Sequence, residues 1–451
     1  METINTPQQE QPRGFMQSTT ARVIMTGFLT LALLIPLQYV KSLIWERQSL
    51  EQNVKQEIAD QWGGSVYFYG PVLKVPYTSY TDTQVIDQVT KKVVVNRTAT
   101  TQYAYFFPET LNADTQVKTE EKHRNNYKTT VFSSTMNFSG YYNTPDFAKG
   151  DIKPENVQWQ KATILINTDN LKSIKDALNI TLNGKTYAFE PVVQSDKSKT
   201  EALETPALAL DLNTGRIKFN LRIGYNGTES ISMVPIGKIT SVKMQSNWPD
   251  PKFNGNFLPA DKHIDEAKGF TATWKVSHLN RPFVQQYFGS LPNLNAYNLG
   301  TEFLIKNNEY QQNERAAKYG FLVIGLTFLI FFLIQTISKI YIHIFQYCMI
   351  GLALIMFYTL LISITEHSSF NFAYLISGTA VVSMITLYTR TVLKQQKLTL
   401  LIGASLSVLY TFIYVIIQLE DYALLAGSIG LFAILGAVMY FSRKIDWNPT
   451  H

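Results

Sequence analysis

The sequence predicts an integral membrane α-helical protein, six spans in a 1 + 5 arrangement, with a large β-rich, sandwich-like extracytoplasmic domain inserted between spans 1 and 2. Three observations predict it. One apolar run, Val23 to Val40, lies near the N-terminus; five more fill the last ~130 residues; about 270 residues of mostly polar chain separate them. Each apolar run approaches the ~20 residues a helix needs to cross a ~30 Å hydrocarbon core.

The elements follow in order. Residues 1–22 form a polar tail, 23–41 the first span and 42–62 a stalk helix. The first run is not read as a cleaved signal peptide. It is long for a signal core, ends in Gln38-Tyr39-Val40-Lys41 without a small-x-small site, and follows a polar lead. Pro36 near its outer end is a candidate kink, tolerable among neighbouring spans. In the stalk, Leu43, Ile44, Leu50, Val54, Ile58 and Trp62 approximate the 3.6-residue period, and Gly63-Gly64 supplies a stop.

Residues 63–314 then change period to two, with room for two subdomains. Short runs rich in β-branched and aromatic residues (66–69, 72–75, 92–95, 163–166, 218–223, 270–274) read as strands of antiparallel sheets. Asn183-Gly184 and Asn226-Gly227 read as turns. A short helix is expected at Asn170–Ala177. Residues 315–441 form the five-span bundle, at about 320–337, 345–364, 370–388, 398–418 and 422–441, and 442–451 a second tail.

Charge sets the orientation. Lys339, the Arg390/Lys394/Lys397 group and Arg443/Lys444 fall in alternate connections, while Glu366 and Glu420/Asp421 fall in the others. The positive-inside bias places the basic connections, and hence both termini, in the cytoplasm, and the β domain outside. Arg13 and Arg22 agree; Lys41 and Arg47, just beyond the first span, count the other way. Residues 45–314 hold 29 Lys+Arg against 28 Asp+Glu, so the domain carries no basic surplus for nucleic acid. The single cysteine, Cys348, lies in the bundle, so the domain rests on its core without a disulfide.

Particular strings carry a resemblance. Gly70-Pro71-Val72-Leu73-Lys74-Val75-Pro76-Tyr77, Phe107-Pro108-Glu109, Ser246-Asn247-Trp248-Pro249-Asp250-Pro251 running on to Gly255-Asn256-Phe257-Leu258-Pro259, Arg315-Ala316-Ala317-Lys318-Tyr319-Gly320, Glu366-His367 and Arg443-Lys444-Ile445-Asp446-Trp447 occur in order over almost the whole chain. Together they resemble the CreD family of bacterial inner-membrane proteins. The resemblance implies a role in cell-envelope integrity and stress response, within a two-component regulon, with links to colicin tolerance and β-lactam response. It implies no reaction.

The residues name no reaction either. There is no Gly-x-Ser-x-Gly elbow, no phosphate-cradling Gly-rich loop and no His-Glu-x-x-His, so no catalytic residue, cofactor or metal site is predicted. The six histidines are scattered. Trp248, Pro249, Pro251, Phe253 and Phe257, with Asn247 and Asp250, would suit a glycan- or peptide-binding loop; the plainer reading is a structural turn. Glu366-His367, expected at the outer end of a span, puts a carboxylate beside a group that titrates near pH ~6.5, which suits proton relay or simple anchoring. Arg443, Lys444 and Trp447 read as a headgroup anchor.

No span carries Asp, Glu, Lys or Arg near mid-depth, which argues against an ion-coupled transporter. Ala423/Gly427, Ala426/Gly430 and Ala433/Ala437 suggest close helix packing in the last span. Four Asn-x-Ser/Thr sequons (Asn96, Asn137, Asn179, Asn226) are read as chance. The favoured expectation is a non-enzymatic protein in contact with membrane lipids, whose outer domain binds a periplasmic protein, peptidoglycan or lipid. The alternative is a transporter or membrane enzyme acting on a lipid or cell-wall precursor. A deep cavity lined by Glu366 and His367 would favour the alternative.

Overall fold

The computed structural model describes residues 19–86, 93–124, 127–169, 171–192, 201–209, 215–303, 309–338, 340–419 and 422–443. The chain divides into two units, residues 1–52 with 307–451, and residues 53–306.

The first unit is helical. It holds most of α1 (Thr19–Trp62), then α2 (Glu309–Lys318), α3 (Gly320–Ser338), α4 (Ile344–Thr365), α5 (Phe370–Leu393), α6 (Gln396–Gln418) and α7 (Ala423–Ser442). Six of these, all but α2, are long and apolar enough to cross a membrane. Leu33, Leu37, Val40 and Ile44 of α1 are buried in one core with residues of α3 to α6. The contact is close because Gly351 of α4 has no Cβ, and one placed there would run into Leu33. Helix α2 was not foreseen: it is too polar to read as a span, yet it buries Asn313, Ala316 and Ala317. Helix α4 starts on a capping box, in which Nδ1 of His343 accepts from Phe345 N–H and Oε1 of Gln346 accepts from His343 N–H. Among the described residues, α7 buries none.

The second unit is β-rich. Its strands are β1 (Val66–Ile86), β2 (Val93–Phe106), β3 (Thr110–Arg124), β4 (Tyr127–Tyr142), β5 (Thr163–Thr168), β6 (Asn179–Leu182), β7 (Lys185–Ala188), β8 (Glu190–Val192) and β9 (Glu201–Glu204). They continue with β10 (Ile217–Thr228), β11 (Ser230–Met233), β12 (Ile239–Ser246), β13 (Lys252–Gly255), β14 (Asp261–Asp265), β15 (Gly269–Ser277), β16 (Gln286–Phe288) and β17 (Leu299–Glu302). One sheet has the order β13-β17-β11-β1-β5-β9-β8, with β2 on β1 and β16 on β2; the other runs β14-β15-β12-β3-β4-β10-β6-β7.

Both sheets contribute to one apolar core. Phe68 of β1 stacks on Phe138 of β4 with ring centroids 4.4 Å apart. The Tyr142 hydroxyl donates to Pro71 O at 2.9 Å, and that of Tyr225 to Thr168 Oγ1 at 3.2 Å. Strict alternation drives the arrangement: in β3 every second residue from Leu111 to Thr119 is buried.

Several expectations are corrected. The sheets are mixed, since β1 pairs with β11 and β3 with β12 in parallel. Runs 66–69 and 72–75 form one strand, carried through the cis Gly70-Pro71 peptide with a register shift between Tyr69 and Val72. Asn226-Gly227 lies inside β10, where the Phe132 ring occupies the space a Cβ would need, and the chain turns at Glu229 instead. Asn183-Gly184 does turn, with φ of 43° and 88° joining β6 to β7. The expected helix at 170–177 is a single 3₁₀ turn, Leu171–Ser173, with Asn170 outside the described residues. Val93–Val95 opens β2, and Lys92 lies outside the described residues.

The end of α1 is fastened to the β3–β4 hairpin. The Trp62 indole donates to Phe132 O at 3.3 Å, the Lys122 ammonium lies 3.5 Å from the Trp62 ring centroid, and Arg124 pairs with Glu57 at 2.9 Å. The helix stops at Gly63, whose φ of 126° excludes most L side chains; a Cβ there would sit 2.5 Å from Asn226 O.

Candidate functional sites

The loop at 246–258 is built into the fold. The Asn247 Oδ1 accepts from Thr119 N–H at 2.7 Å and from Thr119 Oγ1 at 2.9 Å, while its Nδ2 donates to Thr119 O at 3.0 Å. Trp248 is buried, and its indole donates to Asp250 O at 3.0 Å. Phe253 packs edge-on against Phe270 and Trp274, at 5.6 and 5.7 Å. The Phe257 carbonyl accepts from the Trp274 indole at 3.0 Å. Asn247 is thus spent on Thr119, Trp248 on the Asp250 carbonyl, and Phe253 and Phe257 pack against the core. None of them lines the cleft or the depressions described below.

Glu366 and His367 part company. Glu366 caps the C-terminus of α4, and its Oε1 lies 3.1 Å from Nε of Arg47 on α1. Its side chain is mostly covered, at 19% exposure. His367 is exposed, its backbone N–H donating to Ile364 O at 3.1 Å. The pairing of Glu366 with Arg47 was not legible in the sequence, where Arg47 counted only against the orientation rule. At the end of α7, the Arg443 guanidinium lies 4.3 Å from the Tyr440 ring centroid. Lys444, Trp447, Glu420 and Asp421 lie outside the described residues.

Between α5 and α6 is a cleft of about 760 Å³. Its walls include Tyr374, Thr379, Ser383, Ser407, Tyr410 and Thr411, all neutral; neither Glu366 nor His367 lines it. The Tyr374 hydroxyl donates to Tyr410 O at 2.8 Å. Among the described residues no three His, Cys, Asp or Glu side chains gather as a metal site.

The β unit offers a more strongly polar surface. Register aligns two rows of side chains on the outer face of the eight-stranded sheet. One row reads Ser241, Asn112, Ser139, Asn220, Thr181 across β12, β3, β4, β10 and β6; the next reads Lys243, Asp114, Asn137, Arg222, Asn179. All ten line one depression of about 630 Å³. A second, of about 470 Å³, adjoins it through the shared Arg222 and Asn179 and adds Lys175 and Asp176. Arg222 and Lys243 form no ion pair among the described residues, although Lys243 stands opposite Asp114 in the ladder. The alternate residues, Ala113, Phe138, Leu221, Ile180 and Val242, point into the core, which fixes the polar set on the outside.

A half-buried ion pair and a buried guanidinium are tied into the β unit. Lys74 and Glu204 pair at 2.9 Å, with Thr163 bonded to the same carboxylate. Arg281 donates to Phe283 O at 2.7 Å, Ile236 O at 3.1 Å and Gly237 O at 3.4 Å, and to Gln285 Oε1. Burial pulls its pKa down to about 10.

The profile of the family described as "Inner membrane protein CreD" matches residues 18–448. The chain belongs to the CreD family. It is 28% identical over 421 residues to the inner membrane protein CreD of Escherichia coli (strain K12), covering 92% of this chain and 91% of that protein.

Membership extends from the helix that carries Arg47 to the end of α7, so both units belong to the CreD chain plan. Inner-membrane residence and six candidate spans agree with each other. What sequence reasoning missed in this CreD-family chain is the polar sheet face. Its signal was present, as Asn112-x-Asp114, Asn137-x-Ser139, Asn220-x-Arg222 and Ser241-x-Lys243. Nothing local says that these four pairs lie side by side.

Proposed function

We propose that this CreD-family protein is a non-enzymatic envelope-binding protein of the bacterial inner membrane. Its six spans anchor the chain with both termini in the cytoplasm. Its β unit, on the outer side, engages an envelope component and so supports envelope integrity under stress. The observation that carries this reading is the double row of amide, hydroxyl and charged side chains on the eight-stranded sheet, with Arg222 and Lys243 in no ion pair among the described residues. Convergent polar groups in a depression supply the hydrogen bonds that orient a ligand and give specificity. Orientation is supported by the sorting of basic connections.

The test is retention of isolated cell-wall sacculi and outer-membrane vesicles by the full-length protein in lipid nanodiscs. Binding to either supports the proposal; binding to neither overturns it. A second reading, a lipid-handling activity, draws on the neutral hydroxyl-lined cleft between α5 and α6. It predicts that Thr379→Val with Ser383→Ala abolishes rescue of a deletion strain under detergent and β-lactam stress while leaving sacculus retention intact.

A further inference from the structure

Of the surfaces on this molecule, the outer face of the eight-stranded sheet has the most specific chemistry. Four asparagines, Asn112, Asn137, Asn179 and Asn220, sit on four adjacent strands, one each on β3, β4, β6 and β10. An amide presents two donors and an acceptor in one plane, which matches hydroxyl and amide groups along a sugar ring. Ser139, Thr181 and Ser241 fill the first row with hydroxyls. From β12 to β7 the first row, closed by Thr186 opposite Thr181, crosses six strands, roughly 24 Å at the usual inter-strand spacing. The face is therefore elongated across the strands, and suits a chain-like ligand better than a compact one.

Charge narrows the class. Arg222 and Lys243 lie in the second row with no ion pair among the described residues, and Lys175 borders the adjoining depression, where its ammonium meets Ser133 Oγ. The opposing charges are Asp114 and Asp176. A ligand must then supply a few carboxylates spaced by neutral polar groups. A nucleic acid carries a charge at every residue and calls for a denser array of cations. An apolar peptide or acyl chain would need exposed hydrophobic or aromatic anchors, and the apolar members of the lining, Ala113, Phe138 and Leu221, are buried in the core.

We infer that the outer face of the β12-β3-β4-β10-β6 segment binds a linear glycan bearing both acetamido groups and carboxylates, with the asparagine rows on the sugar ring and acetamido groups and Arg222 and Lys243 on the carboxylates. This rests on the envelope-binding reading and names its ligand class. Arg222 supplies a planar fork for one carboxylate, and Lys243 a point charge three strands away across the sheet.

The experiment uses full-length protein in nanodiscs and three defined probes: hyaluronan oligosaccharides, with acetamido groups and carboxylates; chito-oligosaccharides, with acetamido groups alone; and alginate oligosaccharides, with carboxylates alone. The expected result is tightest binding to the first, weakened at least about tenfold by Arg222→Gln or Lys243→Gln. Asn220→Ala should weaken hyaluronan and chito-oligosaccharide binding alike, while the exposed Lys268→Gln should change nothing. Equal affinity for all three probes, or binding untouched by Arg222→Gln and Lys243→Gln together, would overturn the inference. If wild type retains sacculi or vesicles yet binds none of the probes, the glycan assignment falls and the envelope-binding reading stands. If nothing is retained, both fall.

Discussion

Arg47 Nε and Glu366 Oε1, 3.1 Å apart, tie the first membrane helix to the C-terminus of α4. The pair changes the reading of both residues. Arg47 is the counter-charge of a mostly covered carboxylate, and Glu366 is held by it instead of standing open beside His367. Because Arg47 is 39% exposed, solvent screens the pair and its coupling is small. We expect Arg47→Glu and Glu366→Arg each to lower the thermal midpoint of the detergent-solubilised protein, with the double swap recovering most of the loss. A double-mutant cycle should return about 0.5–1 kcal/mol. Zero coupling would mean that the two groups do not meet. His367→Gln alone should be neutral for stability, since that side chain is exposed.

The loop that looked most like a binding site should behave as structure. Asn247→Ala removes three hydrogen bonds to Thr119 and leaves the Thr119 backbone polar groups without those partners, at a cost of about 2–3 kcal/mol. Leu258→Ala, at a position 74% exposed, should stay within about 0.5 kcal/mol. Chemical denaturation followed through the buried Trp248 and Trp274 distinguishes the two. A stable Asn247→Ala variant with lost sacculus binding would return the loop to the list of sites.

These outcomes bear on what a single sequence can disclose. The spans were legible because twenty apolar residues in a row leave little choice of environment, and strands such as β5, β10 and β15 because alternation and β-branching are local signals. Pairing is not local. Nothing in Ser241-x-Lys243 announces that it runs parallel to Asn112-x-Asp114, and of the five strands that build the polar face only β10 was read as a strand, so the face stayed hidden. Arg47 and Glu366 are separated by the entire β unit, and their contact is likewise a product of packing. The turn misread at Asn226-Gly227 shows the converse: a strong local signal yielded because Phe132 needed the space above Gly227. Helix α2 was missed because its apolar face is two alanines wide.

A pH effect follows from Lys238, whose ammonium lies 2.7 Å from Glu109 Oε1. The hydrogen bond to Glu109, and then the charge on that carboxylate, raise its pKa above the ordinary 10.5. Folding therefore favours the protonated lysine. The contribution is fully present below the unfolded-state value and is lost as pH rises through the higher folded-state value. Lys238→Met should lower the melting temperature slightly at neutral pH, and the difference from wild type should vanish above the folded-state pKa. A difference that persists there would have a non-electrostatic origin, such as the packing of the lysine stem against the corner where Lys238 N–H donates to Pro108 O.

Arg281 supports the most demanding stability prediction. It is 6% exposed, lies 3.9 Å from the Phe283 ring centroid, and meets carbonyls and an amide with no carboxylate partner among the described residues. A buried cation without a counter-ion is tolerated only when its donors are used, and here the fork gathers the carbonyls of Ile236, Gly237 and Phe283. If charge were what mattered, Arg281→Lys would be mild. Geometry matters instead, because one ammonium cannot reach carbonyls on both sides of the fork, so Arg281→Lys should cost roughly 2–4 kcal/mol. Arg281→Met should cost a similar amount by leaving the same carbonyls without donors. Hydrogen exchange at 234–240 and 281–288 should accelerate in both variants. Unchanged exchange with an unchanged melting temperature would show that those carbonyls find water instead, and that Arg281 is dispensable to the fold.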